Sequence, residues 1–152
     1  MLLNTRKNLE RKGQLAKRVF IDTNPLIYLV SQQEPFYSKV VKFMSDCIAD
    51  DAEFYTSTVT DAEFLVKPFE DEDEEQVEKY HDYLKSLEFL KCFINEQVGE
   101  RAARIRAKYH DIKLGDALQM AASIECGCDT FFTNDKQLKQ VTEANVVYIG
   151  DL

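Results

Sequence analysis

The chain has 152 residues, of which 45% are hydrophobic, and its formal net charge is −8. This length favours one domain with a substantial core, and no apolar run approaches the roughly 20 residues of a membrane-spanning helix. The N-terminus lacks the apolar stretch of a secretory signal, so we expect a cytoplasmic protein. The negative charge argues against a passive nucleic-acid binder, because such binding depends on neutralising phosphates.

Positive charge is concentrated at the N-terminus. Residues 1–18 carry a net charge of +5, which leaves −13 for the rest of the chain. We interpret residues 1–17, which are polar and weakly periodic, as a basic arm, and residues 18–152 as the folded domain. Residues 70–75 are six consecutive acids, a pattern typical of a solvated loop that leads into a helix start. A sharper hypothesis is that this acidic run binds the arm, within one chain or across a dimer.

Cysteine and histidine do not indicate a metal site. One pair of cysteines is separated by a single glycine, which is too close for the usual Cys-x-x-Cys spacing, and the other two are isolated. We expect all four to be reduced packing residues, as in a reducing compartment. With only two histidines, neither a histidine-ligated zinc site nor metal-free RNA cleavage by paired histidines is expected.

Short runs rich in β-branched and aromatic residues alternate with segments of helical periodicity. The predicted strands are residues 18–22, 53–56, 89–94, 128–133 and 146–149. The predicted helices follow residue 23, span 36–50, 58–66, 95–108 and 114–125, occupy the region around 77–87, and follow residue 135. This alternation predicts a three-layer α/β/α sandwich with a central parallel sheet of about five strands.

Two acidic residues follow predicted strands. Asp22 ends the first strand, and Asp135 ends the run 130–135. Ligands of an open parallel sheet bind just beyond the carboxyl ends of its strands, whereas the ordinary alternative for such residues is a helix or turn cap. Thr23 or Asn24 is expected to cap the first helix, which leaves the Asp22 carboxylate free for function.

Two further acids lie in predicted helices among apolar neighbours. At about 100° per residue, Glu63 is expected to share the inward face of Val59 and Val66, in a helix that ends before Pro68. A buried carboxylate needs a partner, which would be a metal or the lysine four residues on. For Asp116 the ordinary alternative is the favourable interaction of a first-turn acid with the helix dipole.

Together these four acids favour an oxygen-ligated metal. Close carboxylates repel one another and raise each other's pKa, and a divalent cation removes that penalty. Oxygen ligands favour Mg²⁺ or Mn²⁺ over zinc, and such an ion can activate water to attack phosphorus. Asn24, Thr133 and Asn134 are candidates to position water or phosphate. The pattern predicts a metal-dependent phosphodiesterase.

Two other classes of function remain open on these residues. A phosphotransfer domain also places an aspartate after its first strand, but no second aspartate stands two residues after Asp22 and no paired acids precede it. A non-catalytic module would use the acidic pocket to dock a basic peptide or protein. Metal separates these classes, because a metal enzyme is stabilised by Mg²⁺ or Mn²⁺ in a way that Asp22→Asn abolishes.

A basic cluster leads up to Asp116. Within it, Arg101, Arg104 and Lys108 fall on one face of a predicted helix. That face is either an ordinary exposed surface or the path by which RNA reaches the acids.

Four segments of the chain, in order, resemble the PIN domain family, and the chain's size is similar to that of its stand-alone VapC-type toxins. The resemblance covers about residues 18–149. The matching segments are Phe-Ile-Asp-Thr-Asn-Pro at 20–25, Val-Thr-Asp-Ala-Glu at 59–63, Leu-Gly-Asp-Ala-Leu-Gln-Met-Ala-Ala at 114–122, and Phe-Thr-Asn-Asp at 132–135.

The resemblance implies a ribonuclease that depends on Mg²⁺ or Mn²⁺. It implies that toxin members usually form dimers and are blocked by a small antitoxin. It also implies a supporting role for Asn24 and Thr133. The metal-binding and catalytic acids that it implies are Asp22, Glu63, Asp116 and Asp135.

Overall fold

The structure of the protein is a computed structural model that describes residues 17–152. The predicted basic arm, apart from Lys17, therefore lies outside the described residues. The hypothesis that the arm binds the acidic run concerns these residues and stays a prediction. No helix among residues 17–152 combines the length and apolar character that crossing a membrane requires.

Strands and helices alternate along the described chain. The strands are β1 (Arg18–Ile21), β2 (Glu53–Ser57), β3 (Leu90–Cys92), β4 (Thr130–Thr133) and β5 (Val146–Tyr148). The α-helices are α1 (Thr23–Ser31), α2 (Phe36–Ala49), α3 (Thr58–Phe64), α4 (Val66–Glu70), α5 (Glu74–Ser86), α6 (Glu96–Lys108) and α7 (Leu114–Glu125). Two 3₁₀ helices span Lys136–Gln140 and Ile149–Asp151.

The five strands form one sheet in the order β3-β2-β1-β4-β5, and every pair is parallel. This confirms the predicted parallel sheet. The chain builds outward from β1 to β3 on one side, then returns to add β4 and β5 on the other. The strand order therefore reverses between β1 and β4, and the carboxyl ends of strands at such a switch point are where ligands bind in this architecture.

The core has two layers, one on each face of the sheet. Val19 and Ile21 of β1 are fully buried and pack in a cluster with α1 and α2. Phe20 points to the other face, stacks on Phe131 with ring centroids 5.2 Å apart, and packs in a cluster with α6 and α7. Because alternate strand residues face opposite sides, a run of buried residues in β1 fills both layers. The predicted α/β/α sandwich is confirmed.

The predicted end of the helix at residues 58–66 is wrong. The structure has α3, which ends at Phe64, and then a separate short helix α4 with Pro68 at its third position. A proline is tolerated there because the first N–H groups of a helix have no intrahelical partner. Pro68 therefore lies inside a new helix and does not end the previous one.

The acidic run marks a helix start, as its pattern indicates. Asp73 caps α5, and its side chain accepts a hydrogen bond of 3.0 Å from the backbone N–H of Gln76. Glu74 and Glu75 occupy the first turn, where negative charge suits the helix dipole.

The cysteines differ from the expectation that all four are reduced. Cys92 of β3 and Cys126 at the end of α7 form a disulfide bond with Cα atoms 6.3 Å apart, while Cys47 and Cys128 are free. The two bonded residues are 34 apart in sequence. Their proximity depends on how α7 packs against the sheet, which the cysteine spacing does not reveal.

Candidate metal centre

An open cleft of about 330 Å³ contains all four predicted acids. Asp22 directly follows β1, and Asp135 follows β4 two residues after its end. Glu63 lies in α3 and Asp116 in the first turn of α7. The cleft is lined by Asp22, Asn24, Glu63, Lys113, Gly115, Asp116 and Asp135.

Asp22 is held by donors from three elements. Its Oδ1 accepts from the N–H of Thr23 at 2.8 Å, and its Oδ2 accepts from the hydroxyl of Thr133 at 2.7 Å. The amide nitrogen of Gln119 is 3.4 Å from Oδ1. Asp22 is thus itself the N-cap of α1, so the prediction that a following residue caps this helix was wrong. β1 runs directly into α1, which places the first helical N–H against the carboxylate.

Burial dominates the electrostatics of Asp22, whose residue surface is only 5% exposed. Burial raises the pKa of Asp22 to about 7, although hydrogen bonds from Thr133 and Thr23 oppose this. The nearby Asp116 and Glu63 raise it further. The cost of a buried carboxylate beside other carboxylates is the situation that a bound cation relieves.

Asp116 is half-buried, and its pKa is also raised. Burial raises its pKa first, and the charges of Asp135 and Glu63 add to the increase. Lys113, at the rim of the cleft, lowers it. The four carboxyl groups are therefore coupled electrostatically through a single cleft.

Glu63 reaches the cleft from an exposed position, which corrects the predicted inward face. The buried residues of α3 are Thr60 and Phe64, one turn apart, whereas Val66 is 51% exposed and belongs to the next helix. Glu63 lies beside that buried face, and its Oε2 accepts a short hydrogen bond from the hydroxyl of Thr23. The prediction of a helix here is confirmed, but the predicted buried face is wrong, because α3 packs through Thr60 and Phe64.

The charged neighbours of Glu63 are paired elsewhere. Lys67, four residues on, forms an ion pair of 2.7 Å with Asp71. Asp61 accepts from the hydroxyl of Tyr80 at 2.7 Å and from Lys91 at 2.6 Å. Neither residue lines the cleft, so Glu63 is the acid that α3 contributes.

Gly115 gives Glu63 the room to enter the cleft. A Cβ atom at this position would lie 2.9 Å from Oε1 of Glu63, closer than a carbon and an oxygen normally approach. Glycine at the second position of α7 thus allows the carboxylate to rest against the start of the helix that carries Asp116.

Thr133, which was predicted to position water or phosphate, links two of the acids. It is fully buried; its hydroxyl donates to Asp22 and accepts from the N–H of Asp135 at 3.0 Å. Asp135 also caps the following 3₁₀ helix, accepting from the N–H of Gln137 at 2.9 Å. Its capping role and its place in the cleft are therefore compatible.

The two asparagines predicted to position substrate lie in different places. Asn24 is exposed and lines the cleft. Asn134 donates its side-chain amide to the hydroxyl of Tyr28 at 2.9 Å and is not among the residues that line the cleft.

Three of the four cations of α6 form ion pairs on the surface. Lys113, immediately before α7, is the basic residue that lines the cleft. The ion pairs are Arg101 with Glu125, Arg104 with Glu100, and Lys108 with Glu143.

Sequence reasoning missed a buried polar network behind the acids. The hydroxyl groups of Thr23, Thr60 and Ser57 and the amide of Gln119 are buried together there. The signal that could have revealed it is a glutamine among alanine and methionine on the apolar side of α7, since buried polar groups require partners.

The donor set fits a hard divalent cation. Carboxylate oxygens are the ligands that Mg²⁺ and Mn²⁺ prefer, and four carboxylates line one cleft. Within residues 17–152, no three acidic, histidine or cysteine side chains already converge as a ready-made metal site. Drawing the acids onto one ion would therefore require side-chain rotation.

The fold and the cleft together define an α/β/α domain with an acidic centre at the switch point of a parallel sheet. A family model for the PIN domain matches residues 19–144. The chain belongs to the PIN domain family.

Solved structures share this fold at low sequence identity. VapBC2 from Rickettsia felis, bound to a DNA fragment from its promoter, has a TM-score of 0.69 and 14% identity, covering 86% of this chain and 98% of that chain. A toxin–antitoxin complex from Klebsiella pneumoniae gives 0.64 and 21%, covering 86% and 97%. VapC20 from Mycobacterium tuberculosis, a sarcin–ricin loop cleaving toxin, gives 0.63 and 15%, covering 84% and 98%. A comparison with curated protein sequences found no match.

Proposed function

We propose that the protein is a Mg²⁺- or Mn²⁺-dependent endoribonuclease that hydrolyses RNA phosphodiester bonds, and that it is the toxin of a toxin–antitoxin pair. The observation that carries this proposal is that four carboxylates line one cleft. Membership of the PIN domain family supports it. So does the shared fold with VapC20, a toxin described as cleaving the sarcin–ricin loop.

The proposed metal ligands are the four acids that line the cleft. A divalent cation held there would supply an activated water and would neutralise charge at the phosphate. Asp22, buried and fixed by Thr133, provides a rigid ligand. Asp116 and Asp135 are half-buried and can turn towards the ion. Exclusion of water behind Asp22 strengthens the attraction between the carboxylates and the cation.

Two residues at the rim are suited to bind the RNA backbone. Lys113 lines the cleft, is exposed, and can donate to a phosphate oxygen. The side-chain amide of Asn24, on the first turn of α1, can donate to the same phosphate or hold the attacking water. These contacts read no base, so they bind RNA without selecting a sequence.

The first test is RNA cleavage by the purified protein with excess Mg²⁺ or Mn²⁺, beside Asp22→Asn and an EDTA control. The matched control variant is Asp46→Asn. Its carboxylate is exposed, pairs with Lys42 at 2.8 Å, and does not line the cleft. We expect cleavage by the wild type and Asp46→Asn, and none by Asp22→Asn or in EDTA.

Metal binding decides between the nuclease and the alternative of a silent peptide-docking module. Wild-type protein that neither cleaves RNA nor is stabilised by Mn²⁺ would contradict the nuclease. In that case, binding of a basic peptide that Asp22→Asn weakens would support the docking module. Cleavage that survives EDTA would contradict metal dependence.

The proposed protein partner is a small antitoxin. The Klebsiella pneumoniae structure of the same fold is a toxin–antitoxin complex, and the negative cleft suits a basic side chain of the partner. Co-expression with the neighbouring open reading frame should yield a complex that inhibits cleavage. A double variant, Asp116→Asn with Asp135→Asn, should bind the antitoxin more weakly. Failure to co-purify would contradict this pairing.

We further propose that the protein forms a homodimer and acts in the cytoplasm, where its RNA substrate is found. Light scattering on the purified protein tests the first point, since a monomeric mass at micromolar concentration would contradict it. Fractionation of cells that express the protein tests the second.

A further inference from the structure

Gln119 is a fully buried amide at the back of the acidic cleft. Its Nε2 lies 2.6 Å from the hydroxyl oxygen of Thr60, 3.0 Å from that of Thr23, and 3.4 Å from Oδ1 of Asp22. Its Oε1 accepts a short hydrogen bond from the hydroxyl of Ser57. A single side chain on α7 therefore contacts the end of β1, the start of α1, the end of β2 and helix α3.

The hydrogen bonds from this amide have a defined direction. An amide nitrogen only donates, so the Thr23 hydroxyl accepts from Gln119 and is free to donate its own proton to Glu63. Since the amide has two N–H groups, the hydroxyls of Thr60 and Thr23 are its main acceptors, and its contact with Asp22 at 3.4 Å is longer and shared. Gln119 thus acts on Glu63 through one hydroxyl and also contacts Asp22. Two of the four acids depend on the same amide.

Ser57 fixes which way the amide faces. Its hydroxyl donates to Oε1 of Gln119, while its oxygen accepts from the N–H of Val59 at 3.1 Å as the N-cap of α3. Reversal of the amide would place a carbonyl oxygen against the Asp22 carboxylate and lose the Ser57 bond. The start of the helix that carries Glu63 is therefore tied to the same side chain.

We propose that Gln119 is a positioning residue that holds Asp22 and Glu63 in the orientation needed to bind a divalent cation. This inference rests on the proposed metal centre. The reason for the inference is that a buried position on the apolar side of α7 does not require an amide. Methionine would fill a similar volume and would have no polar atoms in need of hydrogen-bond partners. Partners that orient metal ligands are as important to a metal site as the ligands themselves.

The test is the Mn²⁺ affinity of Gln119→Met, measured by calorimetry and by electron paramagnetic resonance of free Mn²⁺. We expect a loss of about 10- to 100-fold, as for other residues that orient metal ligands. The matched control is Ser123→Ala, because Ser123 is one turn further along α7, equally buried, and hydrogen-bonded to Cys128. It should keep wild-type affinity.

A second variant keeps the test decisive if Gln119→Met does not fold. Thr23→Val retains shape and removes the hydroxyl between Gln119 and Glu63. It should also weaken Mn²⁺ binding, and its effect should be less than additive with Gln119→Met because the two residues share one path to Glu63. Thermal unfolding of each variant establishes that it is folded.

The outcomes separate this inference from the proposed function. Wild-type Mn²⁺ affinity in folded Gln119→Met, or in folded Thr23→Val, overturns the positioning role and leaves the nuclease standing. Equal losses of affinity in Ser123→Ala and Gln119→Met also overturn it, because they indicate general loosening of α7. A wild-type protein that binds no Mn²⁺ overturns both proposals.

Discussion

Asp22 combines three structural roles in one carboxylate. It caps α1, it accepts from Thr133 across the β1–β4 pair, and it lines the cleft. Each role places negative charge where the surrounding protein has removed water, and burial is the largest cause of its raised pKa. In the metal-free protein this residue is therefore a source of instability that a cation would relieve.

We expect Asp22→Asn to stabilise the metal-free protein at about pH 8. The pKa of Asp22 is raised from 3.8 to about 7, so the folded state retains a proton that the unfolded state releases. The free energy of unfolding of the wild type should therefore fall as the pH rises from 3.8 to about 7, by up to about 1.4 kcal/mol per pH unit. Urea unfolding in EDTA at several pH values should show a flatter profile for Asp22→Asn.

Asp46→Asn, whose carboxylate is exposed, is the control for this experiment and should keep the wild-type profile. Adding Mn²⁺ should reverse the order of stability of the wild type and Asp22→Asn, since the wild type gains from binding and Asp22→Asn does not. Parallel profiles for wild type and Asp22→Asn in EDTA would show that Asp22 does not carry this pH dependence.

We expect Gly115→Ala to reduce metal affinity with little loss of fold stability. The added methyl group would press on Oε1 of Glu63 at 2.9 Å, and the end of a flexible side chain can swing away at low cost. The control is Gly99→Ala in α6, where no atom lies within 4 Å of the added group.

Mn²⁺ titration and thermal unfolding of both glycine variants provide the test. Gly99→Ala should gain about 0.5–1 kcal/mol of stability, because glycine is unfavourable within a helix, and should keep its metal affinity. Unchanged metal affinity in Gly115→Ala would show that the position of Glu63 does not depend on this glycine.

At the scale of elements, helix α3 determines where Glu63 lies. The helix is anchored by Asp61, on the side away from Glu63. Asp61 joins α3 to α5 through the hydroxyl of Tyr80 and to β3 through Lys91. Tyr80 is fully buried, so its hydroxyl depends on this carboxylate for a partner. Tyr80 also stacks on Phe64, with ring centroids 4.2 Å apart, so the anchor lies next to the buried Thr60–Phe64 face and helps to fix the rotation of the helix.

We expect Asp61→Ala to destabilise the protein by about 1–3 kcal/mol, the usual cost of leaving a buried hydroxyl without its partner. The double variant with Tyr80→Phe should recover part of this loss, because it removes the unpaired group. Urea unfolding of the two single variants and the double variant measures the coupling. Purely additive losses would contradict the dependence of Tyr80 on Asp61.

At the scale of the whole molecule, net charge opposes the approach of RNA. The protein carries a charge of −8, and three of the four cations on α6 are paired with acids. Long-range repulsion between protein and RNA is screened by salt, with a Debye length of about 10 Å at 0.1 M.

We therefore expect the KM for RNA to fall several-fold as KCl rises from about 25 to about 200 mM at constant Mg²⁺, because screening reduces the repulsion. Changing the four basic residues within 1–16 to glutamine lowers the net charge from −8 to −12 and should steepen this response. Steady-state kinetics at several salt concentrations measures it. A KM that rises with salt would show that local basic residues dominate RNA binding.

Local patterns predicted the parts of this fold that depend on short stretches of chain. The β-branched and aromatic run before Asp22 predicted β1, and the apolar period after Leu114 predicted α7, because alternation and the 3.6-residue repeat are properties of neighbouring residues. The positions of Asp22 and Asp135 after strands, with Glu63 and Asp116 in helices, singled out the acids that line the cleft. Their role as metal ligands stays a prediction.

Tertiary structure alone decided how these pieces meet. The order of strands makes the β1–β4 junction the switch point, and the packing of α3 through Thr60 and Phe64 leaves Glu63 exposed at the cleft. The amide of Gln119 reaches Asp22 from 97 residues away, and Cys92 of β3 bonds to Cys126, which is 34 residues further along the chain. Such contacts join residues distant in sequence, so their geometry depends on the packing of whole elements, which a periodic pattern does not encode.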